Sequence, residues 1–359
     1  MTPPSLAARI PVVVLTGFLG AGKTTLLQKL VRRPELAGTA VVVNEFGEVG
    51  LDHDLLEAGD ETVVELDGGC LCCTVRSDLV DTLKNLHGRH VRGRIDLARV
   101  VVETTGLADP VPILATLLSD AYASHYFRLA AVATLVDAAA GAATLEAHGE
   151  ARRQVAVADR LVLTKLDLAS EVGALSARLR RLNPTAPLLQ AGDGEIDAGH
   201  LLEDGLYDPA TKGVDVQAWL RDEAPAHDHH GADHHHDVNR HGEDIRAFCL
   251  RRSEPIPRAA FETFKDLLWR ARGADLLRVK GLVQLAEDPD RPVVFHAVQH
   301  ALHAPVTLDR WPGDDRATRI VFIVRDIPPA RVEEMLDALI AQAPEIEAGR
   351  AEAAGDETG

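Results

Sequence analysis

PVVVLTGFLGAGKTTLLQKLV, residues 11–31, decides the fold. An apolar run of strand length, Pro11 to Leu15, enters a glycine-rich turn and leaves it as an amphipathic stretch of helical period from Lys23 to Val31. Within it GFLGAGKT, Gly17 to Thr24, fills the G-x-x-x-x-G-K-[ST] pattern, and the strand-to-helix setting is the context that this pattern requires. Glycines let backbone N–H groups close around a polyphosphate at a helix N-terminus, where the helix dipole favours anions. Gly17, Gly20, Ala21, Gly22, Lys23, Thr24 and Thr25 are therefore expected to line a nucleotide, with Lys23 on the outer phosphates and the Thr24 hydroxyl on magnesium.

Outward from that stretch, TAVVVNEFG, RVVVETTG, LAAVATLVDA and DRLVLTKLD repeat the design up to about residue 210. Near-continuous Val and Leu runs separated by helical patterns indicate parallel strands buried on both faces, hence an α/β doubly wound domain over residues 1–212. Residues 213–245, which include APAHDHHGADHHHDVNRHGED, hold few apolar residues and no period, and read as a His-rich acidic linker. Beyond it RAFCLRRSEP, a helical stretch from Pro257 to Arg272, LLRVKGLVQLAED, PVVFHAVQHALHAPVTL, TRIVFIVRD and a helix from about Pro328 to Ala341 predict a smaller α+β domain over 246–342. The acidic end, 343–359, is expected to be disordered.

The composition bounds the function. The chain has 359 residues and a formal net charge of -17, so no basic face favours nucleic acid or an anionic membrane. Its first apolar run is far shorter than a membrane span and lacks a secretory cleavage site, which predicts a cytoplasmic protein. In a reducing compartment clustered cysteines favour metal or redox chemistry over structural disulfides.

Three further stretches carry chemistry. RVVVE ends in ETTG, where Glu103 can hold magnesium through water and the Gly106 N–H can sense a γ-phosphate. TKLD, Thr164 to Asp167, resembles the guanine-specificity element of GTPases with Thr in place of the usual Asn. Asp167 could accept from N1–H and the exocyclic amine of guanine, and such polar sites reject a mismatched base by roughly 10⁴. Thr164 is expected to weaken the tether between this element and the phosphate loop, with Lys165 beside it. GGCLCC, residues 68–73, offers Cys70, Cys72 and Cys73 from one short loop. Soft thiolates suit Zn(II), Cu(I) or Fe–S chemistry, and three ligands leave a tetrahedral zinc position open, which fits exchange better than structural support. The spacing is not the C-x-x-C of a redox pair. The fourth cysteine, Cys249 in AFCL, reads as a buried small hydrophobe.

GFLGAGKTTLL, NEFGEVGLD, GGCLCC, ETTGLADP and TKLD in this order, followed by LLRVKGL and FHAVQHA, resemble the CobW-type GTPases, a SIMIBI-class family of cytosolic metal chaperones that includes zinc chaperones. The resemblance implies a GTPase that binds GTP or GDP with Mg²⁺, carries Zn²⁺ on the cysteine loop, and serves a client apo-metalloprotein. It also implies that NEFGEVGLDHDLL, Asn44 to Leu56, acts as a switch in which Glu45 or Glu48 positions the attacking water or completes a metal site, with Asp52 nearby. Some related sequences carry a glutamate where this chain has Val43. Nucleotide-dependent self-association is a further implication. His229, His230, His234, His235 and His236 read as a weak accessory reservoir of metal within the linker. His87, His90, His125 and His148 are scattered, and His296, His300 and His303 are read as strand and loop. Cobalt delivery for cobalamin synthesis, iron delivery to a hydratase, a nucleotide-coupled metal sensor or buffer, and a phosphotransferase are the alternatives.

Overall fold

The computed structural model describes residues 8–31, 33, 36–43, 63–65, 74–192, 196, 198–202, 245–302 and 305–348. The chain divides into two compact units, 1–214 and 215–359.

In the first unit the elements run β1 (Ile10–Gly17), α1 (Lys23–Val31), β2 (Thr39–Val43), β3 (Val63–Glu65), α2 (Thr74–Val91), β4 (Arg99–Glu103), α3 (Val111–Ser119), α4 (Ala123–Tyr126), β5 (Phe127–Asp137), α5 (Gly141–Ala147), α6 (Gly149–Val157), β6 (Arg160–Thr164), α7 (Gly173–Leu182), β7 (Leu188–Gln190) and α8 (Ala198–Leu202). The strands form one sheet in the order β3-β2-β4-β1-β5-β6-β7, every pair parallel. The valine run of β1 is explained by this position. Val12, Val13 and Val14 are all fully buried, because successive side chains point to opposite faces and helices cover both. Val13 and Leu15 join Leu26, Leu27 and Leu30 of α1 in one core, while Val136, Leu145, Val155 and Leu175 close a second beyond β5. Strand β1 has β4 on one side and β5 on the other, so the strand order reverses at the phosphate loop. Open α/β sheets bind ligands at the carboxyl ends of strands at such a point.

The second unit contains β8 (Ile245–Arg252), α9 (Arg258–Arg272), β9 (Leu276–Leu285), β10 (Asp288–Val298), β11 (Ala301–Leu302), β12 (Val306–Thr307), β13 (Thr318–Arg325) and α10 (Pro329–Ala341). Its antiparallel sheet runs β11-β10-β9-β13-β8, with β12 on β10. One face carries Phe248, Val279, Phe295, Ile320 and Phe322 against Phe261, Phe264 and Leu268 of α9 and Val332, Leu336 and Leu339 of α10. Phe248 stacks on Phe322 at 5.1 Å, and Phe261 meets Phe295 edge-on at 5.3 Å.

Three details differ from the sequence reading. Residues 343–348, placed with the disordered tail, are helical. Ala343 is buried in the core and Ile346 packs against it, which prolongs the apolar stripe of α10. Cys249 is half-buried on β8 rather than enclosed. The three-residue strand β3 adds an edge that no apolar run announces.

Candidate nucleotide site

At the end of β1, Gly17 has φ 142°, and a Cβ there would stand 2.4 Å from the Leu135 carbonyl oxygen of β5. Only glycine lets the loop leave the sheet so close to its neighbour. The loop turns through the Ala21 N–H to the Phe18 carbonyl at 3.1 Å. The Lys23 ammonium donates to Gly17 O at 2.8 Å and Phe18 O at 3.2 Å, which holds the charge at the mouth of the loop. Thr164, at the end of β6, donates its hydroxyl to Ala21 O at 2.9 Å. The threonine that stands in place of the usual Asn thus keeps one hydrogen bond to the phosphate loop.

Across β1 stands the carboxyl end of β4. Glu103 is 1% exposed, and its Oε1 accepts from the Thr24 hydroxyl at 2.9 Å. A hydroxyl and a buried carboxylate in contact are the hard oxygen donors that suit magnesium, so these residues fit the ion expected of them. Thr104 anchors the following loop to β1 twice, N–H to Leu15 O at 3.0 Å and hydroxyl to the Thr16 hydroxyl at 2.7 Å. Gly106 lies against the phosphate loop: a Cβ on it would meet Leu19 N at 2.6 Å. Gln154 of α6, buried, donates its amide to Gly106 O at 3.1 Å and Ala108 O at 3.0 Å.

The TKLD stretch, Thr164 to Asp167, runs on from the end of β6. Lys165 is left-handed, φ 54°, and its ammonium pairs with Asp137 Oδ2 at 2.7 Å. The other oxygen of Asp137 caps the N–H groups of Ala139 and Ala140 at 2.8 and 2.9 Å. Partial burial pushes the Asp137 carboxyl up, but the Lys165 hydrogen bond and the two backbone donors outweigh it and leave its pKa below the usual 3.8. Asp167 is exposed in the single turn Leu166–Leu168, and Thr25 is exposed on α1. Sequence reasoning found Lys23, Thr24, Glu103, Gly106 and Thr164, which the fold brings together, and missed Asp137 and Gln154.

Glu103 is in register with Val43 of β2, and Val43 with Glu65 of β3. Cys70, Cys72, Cys73, Glu45, Glu48, Asp52, His229, His230, His234, His235, His236 and His303 lie outside the described residues. Among the described residues no group of three or more His, Cys, Asp or Glu is arranged to hold a metal ion, and no helix is long and apolar enough to cross a membrane. His87 bonds the Tyr122 hydroxyl through Nδ1 at 2.7 Å and packs on Tyr126 at 4.2 Å. Burial, and then the charge of His90, lowers its pKa.

Comparison with known proteins agrees with this geometry. Residues 11–190 match the family model described as CobW/HypB/UreG, nucleotide-binding domain, and residues 245–340 match the Cobalamin synthesis protein cobW C-terminal domain. The chain is 33% identical over 324 residues to the zinc chaperone YjiA of Escherichia coli K12, covering 90% of this chain and 96% of that one. It is 32% identical over 380 residues to the zinc chaperone CobW of Pseudomonas aeruginosa, covering 94% of each. The crystal structure of Zn(II)-bound YjiA GTPase from E. coli aligns with a TM-score of 0.69 at 27% identity, over 92% of this chain and 99% of that one. With a phosphate loop at the switch point of its first unit and a matching C-terminal domain later in the sequence, the chain belongs to the CobW family of nucleotide-binding proteins.

Proposed function

We propose that this protein is a GTP-hydrolysing metallochaperone that holds zinc on Cys70, Cys72 and Cys73 and hands it to a client apo-metalloprotein under the control of the bound nucleotide. The observation that carries the reading is the register row Glu65, Val43, Glu103 across three adjacent parallel strands. The chain leaves β3 at Glu65 for the cysteine loop, leaves β2 at Val43 for Glu45 and Glu48, and ends β4 at Glu103 beside Thr24. Two strand spacings separate the first departure from the third, about 10 Å. Cys70 follows Glu65 by five residues, a reach of up to about 17 Å. The segments carrying the thiolates, the carboxylates and the magnesium ligands therefore start from the carboxyl ends of three neighbouring strands, which is what coupling between metal and nucleotide needs.

The chain is a P-loop GTPase, and its residues divide the work. Lys23 exchanges loop carbonyls for the outer phosphates of GTP. Thr24 and Glu103 would hold magnesium, which neutralises charge on the phosphates when bound. Gly106 offers its N–H where a γ-phosphate distinguishes GTP from GDP, and Glu45 or Glu48 orients the attacking water. Thr164 fixes the base-recognition stretch to the phosphate loop, and Asp167 accepts from guanine. Zinc is cargo, bound by thiolates in one nucleotide state and released in the other. Relatives named zinc chaperone and zinc-regulated GTPase metalloprotein activator support the choice of metal and the existence of a client.

The test is GTP turnover of metal-free protein titrated with zinc, cobalt, nickel or iron, beside metal affinity in the GDP state and with a non-hydrolysable GTP analogue. Zinc is expected to change turnover and to bind with different affinity in the two states. Replacing Cys72 and Cys73 by Ala should remove tight zinc binding and spare GTP binding. A preference for cobalt would select the cobalt-delivery reading, and metal affinity indifferent to nucleotide would sink the gate.

A further inference from the structure

The loop 104–109 is held from two sides. Thr104 is bound to β1 through its N–H and its hydroxyl. At the other end the carboxamide of Gln154 donates both its hydrogens, one to Gly106 O and one to Ala108 O. Arg153, the neighbour of Gln154 on α6, approaches Asp109 at 3.4 Å. The backbone of Gln154 is itself fixed, since its carbonyl accepts from the Thr134 hydroxyl of β5 at 2.8 Å. Helix α6 also reaches the phosphate loop, because His148 at its N-cap stacks on Phe18 at 4.4 Å. One short helix thus bears on both loops that would meet the terminal phosphate.

Packing alone does not account for the amide. Gln154 is 1% exposed, and its Oε1 is buried without a hydrogen-bond partner among the described residues. An unsatisfied buried acceptor carries a desolvation cost that a leucine of similar volume would avoid. The two donated bonds are the part of the side chain that the fold uses, and both end on the loop that follows Glu103.

We infer that Gln154 is a positioning residue for GTP hydrolysis: it pins the peptide planes after Gly106 and Ala108 and so sets where the Gly106 N–H stands relative to Leu19 and the phosphate loop. The inference rests on the reading of Glu103 to Gly106 as the magnesium and γ-phosphate element. The consequence is selective. GDP lacks the phosphate that this loop meets, so GDP binding is indifferent to Gln154, whereas GTP binding and turnover depend on it.

The experiment is Gln154→Leu in the full chain, with equilibrium binding of GDP and of a non-hydrolysable GTP analogue in magnesium, and steady-state turnover. Analogue affinity is expected to fall about tenfold or more, the scale of two net hydrogen bonds. GDP affinity should stay within about twofold, and kcat should drop. Equal losses for both nucleotides, or none, would mean that Gln154 only supports the fold. Glu103→Gln, measured in parallel, separates the two readings. If that variant keeps full magnesium-dependent turnover, the element is wrongly assigned. If it loses turnover while Gln154→Leu keeps the parent GTP-to-GDP ratio, only the role of Gln154 is wrong. Hydrogen exchange on the unaltered protein answers the case of a variant that does not fold. Replacing GDP by the analogue should protect 104–109 and 149–157 together, and protection of the first without the second overturns the inference.

Discussion

Asp137 shows how much one side chain can organise at this site. One carboxylate oxygen holds the Lys165 ammonium and the other caps the turn into α5, so the TKLD stretch and the β5–α5 connection share one anchor. Its pKa is depressed in the folded state, so its stabilisation is complete above the ordinary value of 3.8 and is lost as the pH falls through the lower, folded value. Asp137→Asn keeps an acceptor for the turn and loses the ion pair. With Lys165 more than a third exposed, solvent screening limits the loss to about 1 kcal/mol. Urea unfolding at pH 7 should show that deficit, and the parent and variant should converge once the pH lies below the folded value. A deficit of equal size at both values would place the effect in the turn instead of the ion pair.

At the scale of elements, β1 and the loop after it behave as one unit. Gly17 combines a backbone conformation closed to side chains with a carbonyl where a Cβ would stand. Gly17→Ala should therefore cost about 1–3 kcal/mol in strain. The loop relieves that strain by moving away from β5, so GDP affinity should fall tenfold or more, as read by titration on protein that still shows a cooperative melt. The elements carrying the phosphate-loop chemistry were legible in the sequence because local chemistry writes them. The Val runs of β1 and β4 mark strands buried on both faces, the glycines mark the loop, and Glu103 marks a strand end. What stayed hidden depends on juxtaposition. Gln154 sits in EARRQVAVAD, where a helical glutamine reads as a solvated face, and only the fold brings it to Gly106, 48 residues away. Asp137 ends a strand as many surface carboxylates do, and its meaning comes from Lys165, which follows the neighbouring strand β6. Thr164 was read as a weakened Asn, and only the fold shows its hydroxyl donating to the Ala21 carbonyl of the phosphate loop. Residues 343–348 were hidden by composition, since acidic flanks masked the spacing of Ala343 and Ile346.

At the scale of the whole molecule, the chain divides into two compact units, each with its own hydrophobic packing. A ligand confined to the first should stabilise that one alone. GDP with magnesium at about a hundredfold excess over its dissociation constant adds about 2.7 kcal/mol, enough to raise one calorimetric transition by roughly 5–10 °C while the other stays in place. A single transition moving as a whole would show that the units unfold together. The parallel sheet has a second consequence, one of time. Among the described residues strand β1 pairs only with β4 and β5, so the Val-rich segment that carries the phosphate loop emerges from the ribosome with neither neighbour made. Its second partner is complete only with Asp137, more than a hundred residues later, a wait of roughly 5–25 s at typical synthesis rates. For that interval an aggregation-prone strand has to be shielded by something other than its own sheet, whereas β9 and β10 of the second unit follow each other and can pair almost as soon as they appear.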